Sequence, residues 1–324
     1  MMITRRGFIA ATAGAAAAQE TIRGLRGPFR VIDVHAHTIN TAHPGLSEGA
    51  RRYHKPDGTI EALVRAMDQA EVSHAFLLTY SAEDLAAEIR WRKSNPVDLK
   101  PVVNRAYQLR AWRAHRDRFW LFVNHSNPLR ETFLEDLERD FDEGAVGWKI
   151  MPLFYGFLAD NPGFMPAYEL CARRKCAVIL DLSNWHIGQY PLYNEVAERQ
   201  GIVKRFEDYG RLLDPLFERF RETPICLAHI GTPKDDADRE AVLAFVARHP
   251  NALLDTSPHM VKTPELYRHI VTEVGARKLM WGTDFPFAPM DTWRMVTDQC
   301  DFLSPADRRL IVTGNAQRFV QGRV

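Results

Sequence analysis

The sequence predicts an α/β protein folded as a (β/α)8 TIM barrel, with long loops after strands 1 and 5. Short apolar or β-branched runs alternate eight times with longer segments of helical periodicity along the 324 residues. Several of the short runs are almost wholly apolar, as strands are when helices cover both faces of a parallel sheet. A doubly wound open sheet is the alternative, but no G-x-G-x-x-G motif follows the first strand.

The predicted strands are short and end near Asp, His or Thr in several cases: Val31–His35, Ala75–Leu78, Trp120–Val123, Val146–Ile150, Ala177–Leu182, Ile225–His229, Ala252–Asp255 and Leu279–Thr283. Helices are predicted between or after them over 59–70, 82–93 with 103–117, 130–141, 164–174, 207–221, 236–248, 264–274 and 290–301. Connections 38–57 and 183–205 exceed a typical βα loop. Since both follow strand ends, we expect them to overhang the barrel mouth, where barrel enzymes carry their active sites.

The composition and net charge of the chain limit the kinds of molecule that it is expected to bind. The chain is 46% hydrophobic with a formal net charge of +1, which excludes a disordered, collagen-like or disulfide-stapled protein and offers no broad basic face for nucleic acid. No apolar run approaches the ~20 residues that a membrane span needs, so no membrane span is expected. The expected partner is a small-molecule substrate. The sequence leaves a homo-oligomer open. Buried free thiols are expected for the four cysteines Cys171, Cys176, Cys226 and Cys300.

Residues 1–18 have the pattern of a twin-arginine export signal. Arg5-Arg6 precede a weakly apolar, alanine-rich stretch that ends in small residues before Gln19. An ordinary alanine-rich helix is the alternative, but no polar face accompanies this stretch. The pattern predicts a periplasmic protein. Residues 19–324 are expected to form one domain.

Six of the twelve histidines lie at or just beyond the C-terminal end of a predicted strand: His35, His37, His125, His186, His229 and His259. The sharpest motif is Asp33-Val34-His35-Ala36-His37. Residues i and i+2 of a strand point to the same side, so both imidazoles can enter the barrel mouth together. Neutral imidazoles are good zinc ligands, and Asp33 could orient one of the rings.

Two further strand ends carry groups suited to a metal site. His229 ends strand 6, and Asp284 follows strand 8. Because a closed barrel makes strands 1 and 8 neighbours, the carboxylate of Asp284 is expected beside His35 and His37. The appearance of these polar groups on strands 1, 6 and 8 of one barrel makes coincidence a poor explanation, and the two imidazoles are suited to Zn²⁺ or another divalent metal.

These motifs resemble the amidohydrolase superfamily, specifically its amidohydrolase-related branch, which also contains metal-dependent decarboxylases and lactonases. The resemblance covers roughly residues 29–321, and its most specific parts are the D-x-H-x-H motif and the G-T-D-F-P motif at 282–286. It implies a metal held by His35, His37 and Asp284, with His229 near the reacting group.

Strand 5 departs from the pattern of this family, which commonly places a His ligand there. Here the strand ends at Asp181, whose carboxylate could replace that ligand. His186, five residues further on, is the alternative ligand, and a metal-free site is a third alternative. Lys149 of strand 4 also has two interpretations: a carboxylated lysine that bridges two metals, or a buried lysine paired with a carboxylate such as Asp181.

The function expected from this set of residues is metal-dependent hydrolysis of an amide, lactone or other ester bond of a small molecule through a metal-activated water. Asp284 would take the proton of the water and pass it to the leaving group, and His229 would stabilise the developing oxyanion. Two alternatives are a metal-dependent decarboxylase of a small aromatic or unsaturated acid and a non-catalytic periplasmic binding barrel.

Overall fold

A computed structural model describes residues 30–39, 57–79, 105–155, 157–182, 205–257 and 261–322. Eight strands form one sheet in which the spatial order equals the chain order and every hydrogen-bonded pair is parallel. They are β1 (Val31–Ala36), β2 (Val72–Leu78), β3 (Phe119–Asn124), β4 (Gly147–Ile150), β5 (Ala177–Leu180), β6 (Ile225–Leu227), β7 (Ala252–Asp255) and β8 (Leu279–Met280). The predicted (β/α)8 barrel is confirmed.

Helices alternate with the strands and cover the barrel. The α-helices are α1 (Ile60–Gln69), α2 (Arg105–Ala114), α3 (Phe133–Glu143), α4 (Met165–Arg174), α5 (Phe206–Arg219), α6 (Asp236–Arg248), α7 (Pro264–Val274), α8 (Pro305–Arg309) and α9 (Asn315–Val320). Within the described ranges, no helix is long and apolar enough to cross a membrane.

Hydrogen bonds beyond the end of β8 join it to β1. The backbone N–H of Asp284 donates to the carbonyl of His35 at 2.7 Å, and the N–H of His37 donates to the carbonyl of Phe285 at 2.9 Å. This ladder continues although β8 itself has only two residues. It brings Asp284 next to the two histidines at the end of β1.

The opposite end of the barrel is filled by aromatic side chains. Phe319 of α9 stacks on Phe76 and Phe122, with ring centroids 6.1 and 5.9 Å apart and interplanar angles of 14° and 12°. All three side chains are completely buried. The barrel interior is therefore a packed apolar core, as in other barrels of this kind, and its polar groups gather at the mouth.

Four of the predicted elements, strands 5, 6 and 8 and the helix over 290–301, are wrong at their ends or throughout. β6 ends at Leu227 rather than at His229, because His229 and Ile230 have φ values of 54° within a short 3₁₀ turn, a left-handed conformation that cannot continue a strand. Strands 5 and 8 end two and three residues earlier than predicted. In place of a single helix over 290–301, the structure has a π-helix at Met295–Gln299.

The four cysteines are free and buried, as predicted. The proposed export signal at residues 1–18, helix 82–93 and His186 lie outside the described residues. The export signal therefore stays a prediction.

Candidate metal centre

Two histidines from β1 and an aspartate after β8 converge at the mouth of the barrel. The Oδ1 atom of Asp284 lies 3.3 Å from Nε2 of His37 and 3.6 Å from Nε2 of His35. Both histidine side chains are fully buried, whereas the Asp284 side chain keeps 11% of its surface exposed. The structure thus brings together the three residues that the sequence predicted to meet; their role as metal ligands stays a prediction.

The hydrogen bonds of His37 show which of its nitrogens faces the site. Its Nδ1 lies 2.9 Å from the carbonyl oxygen of Leu78. A carbonyl only accepts, so Nδ1 carries a hydrogen, and Nε2 is the nitrogen that faces the Asp284 oxygen. A separation of 3.3 Å between this nitrogen and the carboxylate oxygen places a proton or a cation between them.

The separations of these atoms fit a divalent cation. Metal–ligand bonds of about 2.0–2.2 Å at tetrahedral angles place neighbouring ligand atoms roughly 3.3–3.6 Å apart. The two measured separations of 3.3 and 3.6 Å fall in that range. His35, His37 and Asp284 also form one of the two groups of three side chains in the described part of the chain whose ligand atoms are close enough to hold an ion.

Electrostatics favour the ligand forms of His35 and Asp284. Burial, assisted by the nearby Lys149, lowers the pKa of His35 to about 4, so the ring is neutral at neutral pH. Burial raises the pKa of Asp284, but His229 and His37 lower it more, and the result is about 2. Neutral imidazole nitrogens and an ionised carboxylate are a donor set that zinc and similar divalent ions accept.

Lys149 forms a buried ion pair beside this cluster. Its Nζ atom lies 2.8 Å from Oδ2 of Asp181 and 3.4 Å from Nε2 of His35. The side chains of Lys149 and Asp181 are only 1% and 3% exposed. Of the two interpretations of Lys149, the structure has the pairing with Asp181.

Asp181 reaches the site from β5 but belongs to neither of the two ligand groups found among the described residues. Its described contacts are the ion pair with Lys149 and an approach of 3.8 Å to Nε2 of His229. Metal ligation by Asp181 therefore stays a prediction, as does the alternative with His186.

His229 lies against the same cluster from β6. Its ring centroid is 4.5 Å from that of His35, with an angle of 34° between the rings. The left-handed turn that follows β6 positions it there. Its Nδ1 atom is buried and has no hydrogen-bond partner among the described residues.

Sequence reasoning missed Asp255, at the end of β7. Its Oδ2 lies 2.8 Å from Nδ1 of His35, and its Oδ1 accepts from the backbone N–H groups of His229 and Ser257 at 3.1 and 3.0 Å. His35, His229 and Asp255 form the second candidate group. The signal was present, because the predicted strand Ala252–Asp255 ends in an acidic residue at the barrel mouth, as strand 5 does.

Asp33 does not orient a histidine ring, contrary to the expectation from the D-x-H-x-H motif. It accepts hydrogen bonds from the backbone N–H groups of His35 and Thr283, at 2.9 and 3.0 Å, and from the Thr283 hydroxyl. Burial raises its pKa to about 7, against these hydrogen bonds, which lower it. Asp33 thus joins β1 to the segment after β8, and Asp255 is the carboxylate that contacts the His35 ring.

His125 follows β3 but faces a helix rather than the mouth. Its Nε2 atom lies 2.7 Å from Oδ2 of Asp140 in α3, and Arg105 of α2 contacts both side chains. This buried cluster fastens two helices to the barrel. His259, like His186, lies outside the described residues.

The fold is a parallel (β/α)8 barrel, and two imidazoles and a carboxylate converge at its mouth. The protein is therefore a barrel protein with a candidate metal centre. The sequence matches the model of the amidohydrolase family over residues 32–321, and the chain belongs to this family. No curated protein sequence matches it.

Solved structures with the same fold include the following three proteins. One is a probable 2-pyrone-4,6-dicarboxylic acid hydrolase from Acinetobacter baumannii with citric acid bound, at 18% identity and a TM-score of 0.57, covering 90% of this chain and 99% of that one. Another is a 2,6-dihydroxybenzoate decarboxylase from Rhizobium, at 17% identity and a TM-score of 0.60, covering 90% of this chain and 98% of that one.

The third structure is a dihydroxybenzoic acid decarboxylase from Polaromonas sp. JS666 with bound manganese and the inhibitor 2-nitroresorcinol. It is 18% identical with a TM-score of 0.58 and covers 90% of this chain and 97% of the other. At these identities the likeness shows the shared fold.

Proposed function

We propose that this amidohydrolase-family protein is a metal-dependent hydrolase that cleaves an amide, lactone or other ester bond of a small molecule. The observation that carries the proposal is the convergence of His35 Nε2 and His37 Nε2 on one oxygen of Asp284, at 3.6 and 3.3 Å. Such an arrangement needs a proton or a cation between these atoms, and the separations fit a divalent ion.

His35, His37 and Asp284 would hold that ion. A bound divalent ion supplies Lewis acidity and lowers the pKa of water towards neutrality. Asp284 has the only partly exposed side chain of the three, so it is the one that faces incoming water and substrate. Its carboxylate, ionised because its pKa is about 2, accepts the proton of the attacking water and passes it to the leaving group.

His229 would stabilise negative charge on the substrate oxygen. Its ring lies beside His35, and its Nδ1 has no partner in the described part of the chain. A hydrogen bond from the imidazole to the developing oxyanion gains strength in a buried site, where water does not compete. Lys149 would keep the negative charge of Asp181 neutralised next to the reaction.

A second candidate function is decarboxylation of a small aromatic acid. It is favoured by two of the structural relatives, which are dihydroxybenzoate decarboxylases, one of them with bound manganese. The two functions use the same residues and differ in their product.

Metal content and product identity test the proposal together. Protein purified without chelator is expected to contain about one divalent ion per chain, and His37→Gln is expected to lose most of it because one of the three ligands is removed. His269→Gln on the surface, where His269 contacts Glu240 at 2.7 Å, is the matched control and should keep its metal. Elemental analysis measures both.

Lactones, esters, amides and aromatic acids are then offered to the metal-loaded protein. New carboxylic acid without CO₂ supports the hydrolase, and CO₂ from an aromatic acid supports the decarboxylase. Wild-type protein that retains no divalent metal would contradict both. A metal-loaded protein that converts none of these classes would favour the non-catalytic binding barrel.

We also propose export to the periplasm through the twin-arginine pattern at Arg5-Arg6. The exported protein is expected to begin at or near Gln19, as read by N-terminal sequencing. Arg5→Lys/Arg6→Lys should leave the full-length chain in the cytoplasm. Equal export of this variant would reject the proposal.

A further inference from the structure

We propose that Asp255 is a positioning residue that selects the tautomer of His35, so that Nε2 of this ring presents its lone pair to the mouth of the barrel. The proposal rests on the proposed function in one respect: His35 is taken as a metal ligand through Nε2. The tautomer itself is a property of the protein without metal.

The two oxygens of Asp255 carry unequal numbers of hydrogen bonds. Oδ1 accepts from the backbone N–H of His229 at 3.1 Å, from the backbone N–H of Ser257 at 3.0 Å and from the Ser257 hydroxyl. Oδ2 lies 2.8 Å from Nδ1 of His35. Both Asp255 and His35 are completely buried, so bulk water does not compete for these bonds.

An ionised carboxylate accepts hydrogen bonds and cannot donate them. The three donors that meet at Oδ1 favour the ionised form of the Asp255 carboxylate. Nδ1 of His35 must therefore carry the hydrogen, and the lone pair of the neutral ring is left on Nε2. This nitrogen is the one that lies 3.6 Å from Asp284.

Asp255 also fixes the position of a second histidine. The N–H group bound by its Oδ1 belongs to His229, whose backbone is left-handed with φ 54° and ψ 41°. A single carboxylate at the end of β7 thus holds the ring from β1 and the turn after β6. Asp255 therefore contributes to the relative placement of His35 and His229.

Asp255→Asn separates the role of the charge from the role of the shape. Three donors meet at the position of Oδ1, so the single oxygen of the amide is held there and its NH₂ group faces His35. Two donors cannot face each other, and the ring responds by moving its hydrogen from Nδ1 to Nε2. Nε2 then no longer offers a lone pair to a metal.

Protein with ¹⁵N-labelled histidine rings, freed of metal by a chelator, allows the tautomer to be read by NMR, with His35→Gln identifying the signal. Wild-type His35 is expected to carry hydrogen on Nδ1, and Asp255→Asn to carry it on Nε2. Affinity for Zn²⁺, measured by competition with a chromophoric chelator, should fall roughly 10–100-fold in Asp255→Asn.

Asp33→Asn is the matched control. Asp33 is another completely buried carboxylate at the same end of the barrel, but it bonds the backbone of His35 and Thr283 instead of an imidazole. This variant should keep the wild-type tautomer of His35 whatever its effect on stability.

Three outcomes would overturn the positioning role: hydrogen on Nε2 in the wild type, hydrogen on Nδ1 in folded Asp255→Asn, or the same tautomer change in both variants. The wild-type measurement decides the matter alone if Asp255→Asn does not fold. A wild-type protein with the expected tautomer but no affinity for divalent ions would instead contradict the proposed function and leave the positioning role intact.

Discussion

Asp284→Asn is expected to lower kcat by a factor of at least about 10²–10⁴, the usual contribution of a positioned general acid–base group. The variant keeps the shape of the side chain and the hydrogen bond from the Asp284 backbone to His35. It removes the negative charge that the two imidazoles face at 3.3 and 3.6 Å and the oxygen that accepts a proton. Steady-state kinetics on the substrate class found by screening, with metal content measured in the same samples, check the result.

Asp291→Asn is the matched control for this variant. Asp291 is an exposed aspartate seven residues further along the chain, so its change should leave kcat, KM and metal content as in the wild type. If Asp284→Asn binds metal but turns over poorly, proton transfer is the main loss. If it loses metal as well, ligation contributes. Wild-type turnover in Asp284→Asn would reject the assigned role.

Lys149→Met is expected to lower the free energy of unfolding by about 3–5 kcal/mol, the typical cost of breaking a buried ion pair by removing one partner. Methionine is similar in length to lysine, but it carries no charge. It therefore leaves the negative charge of Asp181, whose side chain is 3% exposed, without a partner charge. Desolvation of an unpaired charge is the main cost. Urea or guanidinium unfolding, followed by the circular dichroism of the helices, measures the change.

Two further variants make this expectation specific. The double variant Lys149→Met/Asp181→Leu removes both charges and should recover most of the lost stability, because apolar replacements of a buried pair are often neutral. Arg113→Met breaks an exposed pair with Glu143, whose side chains are 49% and 41% exposed, and should cost under about 1 kcal/mol. Additive losses in the double variant would show that the two charges do not depend on each other.

Much of the candidate site could be predicted because it depends on the periodicity of side chains along a strand and on the closure of the barrel. The i, i+2 spacing of His35 and His37 determines that both side chains leave β1 on one side. An aspartate directly after the last strand of a closed barrel must lie near the first strand. Asp284 is therefore close to both imidazoles, although almost the whole chain separates them.

The position of His229 could not be read in the same way. An apolar run that ends in His predicts a strand through that residue, whereas the backbone turns left-handed at His229 and Ile230. A tertiary hydrogen bond from the His229 backbone to Asp255 stabilises this turn. The sequence around His229 does not indicate this partner, because Asp255 lies on another strand.

By itself, the sequence determined the alternation of strands and helices, the barrel that follows from it, and the residues predicted to meet at its mouth. The tertiary structure alone decided that Asp255 contacts the ring of His35 and that Asp33 bonds the backbone of β1. Periodicity places a side chain on one side of a strand. Which group that side chain contacts depends on the distances between strands, to within an ångström. These distances are set only when the whole barrel has closed.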